Sequence, residues 1–315
     1  EVLIGEPINR LALANRQMGH AFAVGAWRHP VAPFMTRASN IQLLHALTES
    51  MAFWEREIRE KGLNLVMDGS KFMAATAHSM GVPYRRLSLA RFETYCYWAV
   101  NQNFDHPGLK ETYDALEDWP EAEIGESYTL ATQKYEFERY DRAGRRIIRT
   151  LPESILRHFY YKARGMEKGD SIFPSDLITS PFRILNAQRR LARLATTGLE
   201  DLAGKTFVYY PLLKEPEVSI MQVSPEYLSQ HATILSLARD LPAGVILAVK
   251  ENATAVGRRV KSFYDQITAL KNVVLLRPDT SSIEAIKQAV ATASIAGTAS
   301  MEAAILGKPT LTFSA

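Results

Sequence analysis

The sequence predicts an α/β protein of two alternating strand–helix halves separated by a mostly helical segment. Three observations support this class. Residues 205–315 alternate five strand-like runs with four helical stretches, the pattern of an open, doubly wound parallel sheet. Residues 43–87 carry a shorter helix–strand–helix–strand rhythm, which implies parallel strands joined by crossover helices. The 315 residues also exceed what one hydrophobic core usually organises. The expected divisions are residues 1–104, an N-terminal α/β unit; 105–204, a helical linker; and 205–315, the C-terminal unit. Glu1 stands where an initiator methionine would, and the chain stops directly after a strand-like run, so the C-terminal sheet reads as truncated.

Taken in order, Leu43 to Lys61 carries an apolar stripe through Leu44, Leu47, Met51, Trp54 and Ile58, closed by Gly62, and reads as a helix. Asn64 to Gly69 is a short apolar run ending in turn chemistry. Phe72 to Met80 reads as a helix with Gly81 just past its end, and Val82 to Leu87 as the next strand. From Asp105 to Leu202 the pattern is helical and rich in arginine: Arg139, Arg142, Arg145, Arg146, Arg149, Arg157 and Arg164, then Arg183, Arg189, Arg190 and Arg193. These fit solvated helix faces, or a surface that meets an anionic membrane leaflet at the periphery. The C-terminal strands are Thr206–Tyr210, Val245–Val249, Val273–Leu276, Ala293–Ala296 and Pro309–Phe313, with helices at Leu228–Asp240, Val256–Leu270, Ser282–Ala289 and Ser300–Leu306. Val245–Val249 is wholly apolar, as a strand buried on both faces should be.

Composition narrows the function. A net charge of +3 is too small to argue for nucleic acid, and no run of about 18 apolar residues occurs. The single cysteine, Cys96, excludes an intramolecular disulfide and fits a reducing cytoplasm, and no Cys/His cluster has zinc spacing. No Asp-x-Asp triplet is present, so no metal is expected through that motif. Glycine patterns of dinucleotide oxidoreductases, phosphate-loop NTPases and nucleophile-elbow hydrolases are also missing.

Four stretches fall at expected strand ends, where open α/β sheets bind ligands. Gly297-Thr298-Ala299-Ser300-Met301-Glu302 joins a buried strand to a helix. Free backbone N–H groups and the positive helix end suit a phosphate there, with Thr298 and Ser300 adding hydroxyls and Glu302 accepting from a sugar hydroxyl. Ordinary capping would make Thr298 the N-cap and put a capping-box acid at Met301, one residue before Glu302. Lys250-Glu251-Asn252, with Arg258 beyond, offers charge to a phosphate or forms a charged loop. Lys214, Glu215 and Glu217 lie in a proline-bounded loop after Tyr210, where a carboxylate could serve as nucleophile or base. Asp279-Thr280-Ser281 either caps a helix or cradles a nucleobase.

The order Tyr209-Tyr210-Pro211-Leu212, Pro216-Glu217, Val249-Lys250-Glu251-Asn252, Phe263-Tyr264, Pro278-Asp279-Thr280, Gly297-Thr298-Ala299-Ser300-Met301-Glu302-Ala303 and Gly307-Lys308-Pro309 resembles the capsular polysaccharide biosynthesis family. Gly81-Val82-Pro83, Leu87-Ser88, Arg91, Tyr97-Trp98 and Asn101 are similar to it less specifically. The resemblance covers about Asn64 to Asn101 and Thr206 to Phe313. It implies bacterial glycosyltransferases of the GT-B fold, with two Rossmann-like domains facing a cleft and no cofactor or metal. A nucleotide-sugar donor, CMP-Kdo in some relatives, would be held mainly by the C-terminal domain, and the acceptor would be a polysaccharide or glycolipid. It implies Glu217 as the attacking acid and Arg91 and Asn101 on the acceptor side. The family often carries Lys-Glu-His-Pro where this chain has Lys250-Glu251-Asn252-Ala253, and a neutral amide cannot exchange a proton. That departure admits a catalytically silent binding relative, and a sugar-nucleotide epimerase is a further alternative.

Overall fold

The structure is a computed structural model that describes residues 40–89, 95–115, 149, 151–153, 155–165, 174–215, 217, 220, 221, 224–253, 255–257, 259, 260 and 262–313. Arg91, Arg258, and Arg139, Arg142, Arg145 and Arg146 lie outside them.

The first element among the described residues is α1 (Asn40–Lys61), followed by β1 (Val66–Met67), α2 (Lys71–Ser79), β2 (Tyr84–Leu89) and β3 (Cys96–Ala99). Helix α2 begins where Ser70 accepts from the Met73 N–H and ends before Gly81, whose φ of +71° permits the expected left-handed exit. Strands β1 and β2 are parallel, as the crossover rhythm predicts, and Ile58, Val66, Ala74, Ala77 and Tyr84 form their core. Strand β3, outside the stretches the rhythm identifies as strands, runs antiparallel to β2. Only six residues separate Leu89 from Cys96. A parallel return needs a crossover of a dozen or more.

Helices α3 (Pro107–Asp114) and α4 (Pro174–Leu194), with helical residues 149, 151–153 and 155–163 between them, make up the helical middle among the described residues. Several of its basic side chains pair at the surface, Arg157 with Glu153 and Arg190 with Asp265. Among the described residues no helix is long and apolar enough to cross a membrane.

A five-stranded parallel sheet follows: β4 (Phe207–Pro211), β5 (Ile246–Lys250), β6 (Val273–Leu275), β7 (Ala291–Ser294) and β8 (Thr310–Thr312). Its spatial order is β6-β5-β4-β7-β8. The chain winds outward from β4 to β6, then returns to β7 on the far side of β4, so the sheet is doubly wound about a β4–β7 switch point. The connecting helices are α5 (Gln230–Asp240), α6 (Phe263–Thr268), α7 (Ser282–Gln288) and α8 (Thr298–Ile305). Alternation along β4 sends Val208 and Tyr210 into one core with Leu191 of α4, Ile234 of α5 and Ile267 of α6. Phe207 and Tyr209 enter the other, with Ile286 of α7 and Ala303 of α8. Leu43 of α1 packs on Ile220, Met221, Ile295 and Ala296, which brings α1 to the carboxyl end of β7.

One helix is shorter than predicted. The stretch expected at Val256–Leu270 is helical only from Phe263, because Gly257 sits at φ +83° and Arg259 turns inward. A Cβ at Gly257 would lie 2.8 Å from Ile184 Cγ1 and 3.0 Å from its Cα, so α4 itself presses on this turn. Gly257→Ala therefore combines backbone strain with a backbone clash. It should lower unfolding free energy by about 1–3 kcal/mol in urea titrations at unchanged denaturant sensitivity.

Candidate functional site

Because β4 to β7 are parallel, their following loops gather at one edge of the sheet, and those after β4 and β7 flank the switch point. Gly297 follows β7 with φ +113° and ψ −174°, a region essentially reserved for glycine. Its missing side chain has a tertiary reason as well. A Cβ there would stand 3.2 Å from Leu213 Cδ2 on the β4 loop, so the two loops nearly touch.

Gly297, not Thr298, is the N-cap of α8, and no side chain caps that end. This corrects the expected capping, because a residue with φ that positive cannot be the first helical one. Thr298 is the first helical residue and Ser300 the third, so the offset argument for Glu302 falls. Glu302 lies in the second turn and is buried. Ser300 Oγ pairs with Ser294 Oγ at the end of β7, tying the turn to the strand.

The loop after β4 is held by a buried polar network centred on Arg259. Its guanidinium takes both oxygens of Glu251, by Nε to Oε2 and by Nη2 to Oε1 at 2.8 Å. It also donates to the Leu213 carbonyl at 2.7 Å, reaches Glu215 Oε2 at 3.3 Å and lies over the Phe263 ring at 4.6 Å. Gln230, at the start of α5, completes the clamp. Its side chain accepts from the Leu213 N–H at 2.7 Å and donates to the Leu213 carbonyl at 2.8 Å and to Glu215 at 2.9 Å. The side chains of Arg259 and Glu251 are 3% and 1% exposed, which makes this a desolvated pair rather than a surface one. Burial pulls the Arg259 pKa down, but Glu251, Tyr264 and Glu215 together hold it above its ordinary value. Burial raises the Tyr264 phenol well above its usual pKa, and its hydroxyl donates to Glu251 at 2.7 Å.

Glu251 is turned into this network. Both its oxygens serve Arg259, Tyr264 and the Asn252 N–H, and its role is to seat the arginine. Lys250 points to the opposite face of the sheet and donates to Ser282 Oγ at 2.8 Å, which also accepts from the Tyr209 hydroxyl at 3.1 Å. Asn252 is half-buried, and its carbonyl accepts from the Ala255 N–H at 2.9 Å. Glu217 is half-buried on the β4 loop, where its carbonyl accepts from Met221 at 2.8 Å.

In the β6 loop, Ser281 caps α7 by accepting from the Glu284 N–H at 3.2 Å, the plain capping alternative. Asp279 lies 3.5 Å from Arg277, which binds Glu200 at 2.6 Å. Thr280 Oγ1 is buried without a hydrogen-bond partner among the described residues. In the N-terminal unit Asn101 lines a cleft of about 380 Å³ with His78, Pro83, Tyr84 and Arg85. Its amide is committed to its own loop, accepting from the Asn103 and Asp105 N–H groups and donating to Asp105 at 2.7 Å.

The structure therefore brings Gly297 and the β4 loop together and leaves Lys250 and Glu251 on opposite faces. From the sequence, Arg259 reads only as following Arg258 on a helix and Tyr264 only as part of the resemblance, neither with a role in this clamp, and Gln230 is not singled out. The glycine inside an otherwise helical run, Gly257, was the available signal that the chain turns inward there.

No family model matches this chain, and no curated protein matches it. Among solved structures, UDP-GlcNAc 2-epimerase from Neisseria meningitidis bound to UDP-GlcNAc is similar over 89% of this chain, at 13% identity and a TM-score of 0.29. The alignment spans 66% of the epimerase chain, just under two thirds of its length.

Truncating a buried ion pair on one side strands the other charge. Arg259→Met should lower stability by about 3–5 kcal/mol in chemical denaturation. Adding Glu251→Leu should restore part of that loss, since it removes one of the stranded carboxylates.

Proposed function

We propose that this chain is a glycosyltransferase of the GT-B type that takes a nucleotide-activated sugar at the β4–β7 switch point. The observation that carries this reading is Gly297. It is a glycine-only N-cap at a strand-to-helix turn, facing a rigidly held loop across the crevice where doubly wound sheets bind ligands. The backbone N–H groups of the first turn of α8 would receive the donor phosphate, with the Thr298 hydroxyl beside them and the helix end favouring the negative charge. Lys250 would add charge from β5, and Asp279, Thr280 and Ser281 would border the base.

In the transfer, the bond between the anomeric carbon and the phosphate oxygen breaks and the nucleotide leaves with the electron pair. Glu217 on the β4 loop is the candidate to attack that carbon first. The acceptor hydroxyl then displaces the carboxylate and loses its proton to a base. Fixed donors around the departing phosphate, not a motif-bound metal, would stabilise its charge. The Arg259 clamp supports this reading because preorganised loops make such stabilisation effective. The acceptor would be a saccharide of a surface polysaccharide or glycolipid, presented from the N-terminal unit near Asn101 and Arg91. Contact with an anionic membrane would come through the basic helical middle.

Calorimetry with CMP, UDP and GDP tests the donor site. One nucleotide should bind at or below millimolar concentration, and Gly297→Val should weaken it by about a hundredfold or more through strain and contact with Leu213. Equal binding by that variant would remove the site. Incubating donor with and without acceptor tests the transfer: acceptor-independent conversion of the donor sugar would identify an epimerase, and turnover surviving Glu217→Gln would take Glu217 out of the chemistry.

A further inference from the structure

Helix α1 carries one buried stripe, and that stripe enters two separate cores. Leu47 and Met51 pack with Phe72 and Ala75 of α2, and Ile58 joins Val66, Ala74 and Tyr84. One turn ahead of Leu47, Leu43 is buried instead with Ile220, Met221, Leu228, Ile295 and Ala296 of the C-terminal unit. Four residues of helix advance only about 6 Å. Adjacent turns of one helix therefore belong to the two units.

The cluster around Leu43 contains pieces of both loops that flank the crevice. Ile220 and Met221 are wholly buried in the turn after Glu217. There the Met221 N–H donates to the Glu217 carbonyl at 2.8 Å, and the Ser224 N–H donates to the Ile220 carbonyl at 2.9 Å. Ile295 and Ala296 directly precede Gly297. Leu213, whose Cδ2 stands 3.2 Å from where a Cβ on Gly297 would lie, packs on the same cluster.

Two kinds of force seat these loops. The Leu213 stretch is fixed by hydrogen bonds to Arg259 and Gln230, which act at set angles. Ile220 and Met221 are seated by apolar packing, which has no preferred direction. The shape of the partner then decides the position, because close-packed interiors pass a change in one side chain on to its neighbours. Leu43 is such a partner, and it arrives on a helix whose next turn is fixed in the other unit.

We propose that Leu43 is a positioning residue for the crevice: it seats the Glu217 turn against the Gly297 turn, and α1 couples both to the N-terminal unit. The consequence for catalysis rests on reading the crevice as the donor site. A shift of about 1 Å in a reacting group costs on the order of a hundredfold in rate. A leucine behind the turn would thus set the reach of Glu217.

Amide hydrogen exchange at single-residue resolution on the whole chain tests this. Leu43→Ala should speed exchange at the Met221 and Ser224 amides by about tenfold or more. The Leu247 amide of β5 should keep its rate, and Leu43→Met should restore the slow exchange. Should the alanine variant not fold, Leu43→Val gives the same pattern at smaller amplitude. Coupling acts in both directions. Gly297→Val, which presses on Leu213, should therefore speed exchange from Leu47 to Met51 in α1, and whichever of CMP, UDP or GDP binds should slow it about fivefold. Unchanged rates at Met221 and Ser224 in the Leu43 variants would overturn the proposal. So would acceleration that extends equally to Leu247, or α1 rates indifferent to both Gly297→Val and bound nucleotide. If no nucleotide binds, the donor-site reading fails by itself, and the ligand-free variants still decide the role of Leu43.

Discussion

The C-terminal half depends on one buried cation. That cation, Arg259, sits in the turn just before α6. It binds a carboxylate from the end of β5, a carboxylate and a carbonyl from the loop after β4, and an aromatic face from α6. A guanidinium that is 3% exposed is tolerated only where such groups replace water on nearly every side. The constraint is mutual. The arginine needs those oxygens, and the β4 loop, bounded by proline and without strand pairing beyond Pro211, takes its conformation from the arginine and from Gln230. Leu213 Cδ2 then stands 3.2 Å from where a Cβ at residue 297 would lie, a tight contact added to the positive φ that already favours glycine there.

Much of the fold was legible because it rests on local patterns. A wholly apolar five-residue run at β5 has few places to go except the middle of a parallel sheet, and the sheet puts it beside central β4. Alternating strands and helices implied double winding, and Gly81 marked the end of α2. Failures came where tertiary pairing outweighed local preference. Residues 256–262 have helical composition, but satisfying two buried carboxylates at Glu251 and Glu215 required the chain to turn inward at Arg259. The antiparallel turn of β3 follows from connection length, which an eye fixed on rhythm does not weigh.

The site was legible in place more than in role. The turn at Gly297 and the loop before Glu217 meet as strand-end loops should. Glu251, read as a contact for ligand, holds Arg259 in this structure, and Ser281 caps α7. Both are polar residues at the carboxyl edge of the sheet whose side chains face protein. Strand position says which residues reach that edge. It does not say which of them the fold has already used, and Arg259, 44 residues from Glu215, is a pairing that no local spacing reveals.

The contact between Gly257 and Ile184 has a bearing on how the polypeptide divides. Helix α4 precedes the sheet in sequence, yet its Ile184 presses on the turn that delivers Arg259, its Leu191 is wholly buried against Val208 and Tyr210, and Thr197 just beyond it bridges to Leu276. A fragment beginning at Lys205 would keep all five strands of this sheet and still lack one wall of its core. The smallest autonomous C-terminal piece therefore starts ahead of α4, and what reads in sequence as a linker is, for that piece, a structural member.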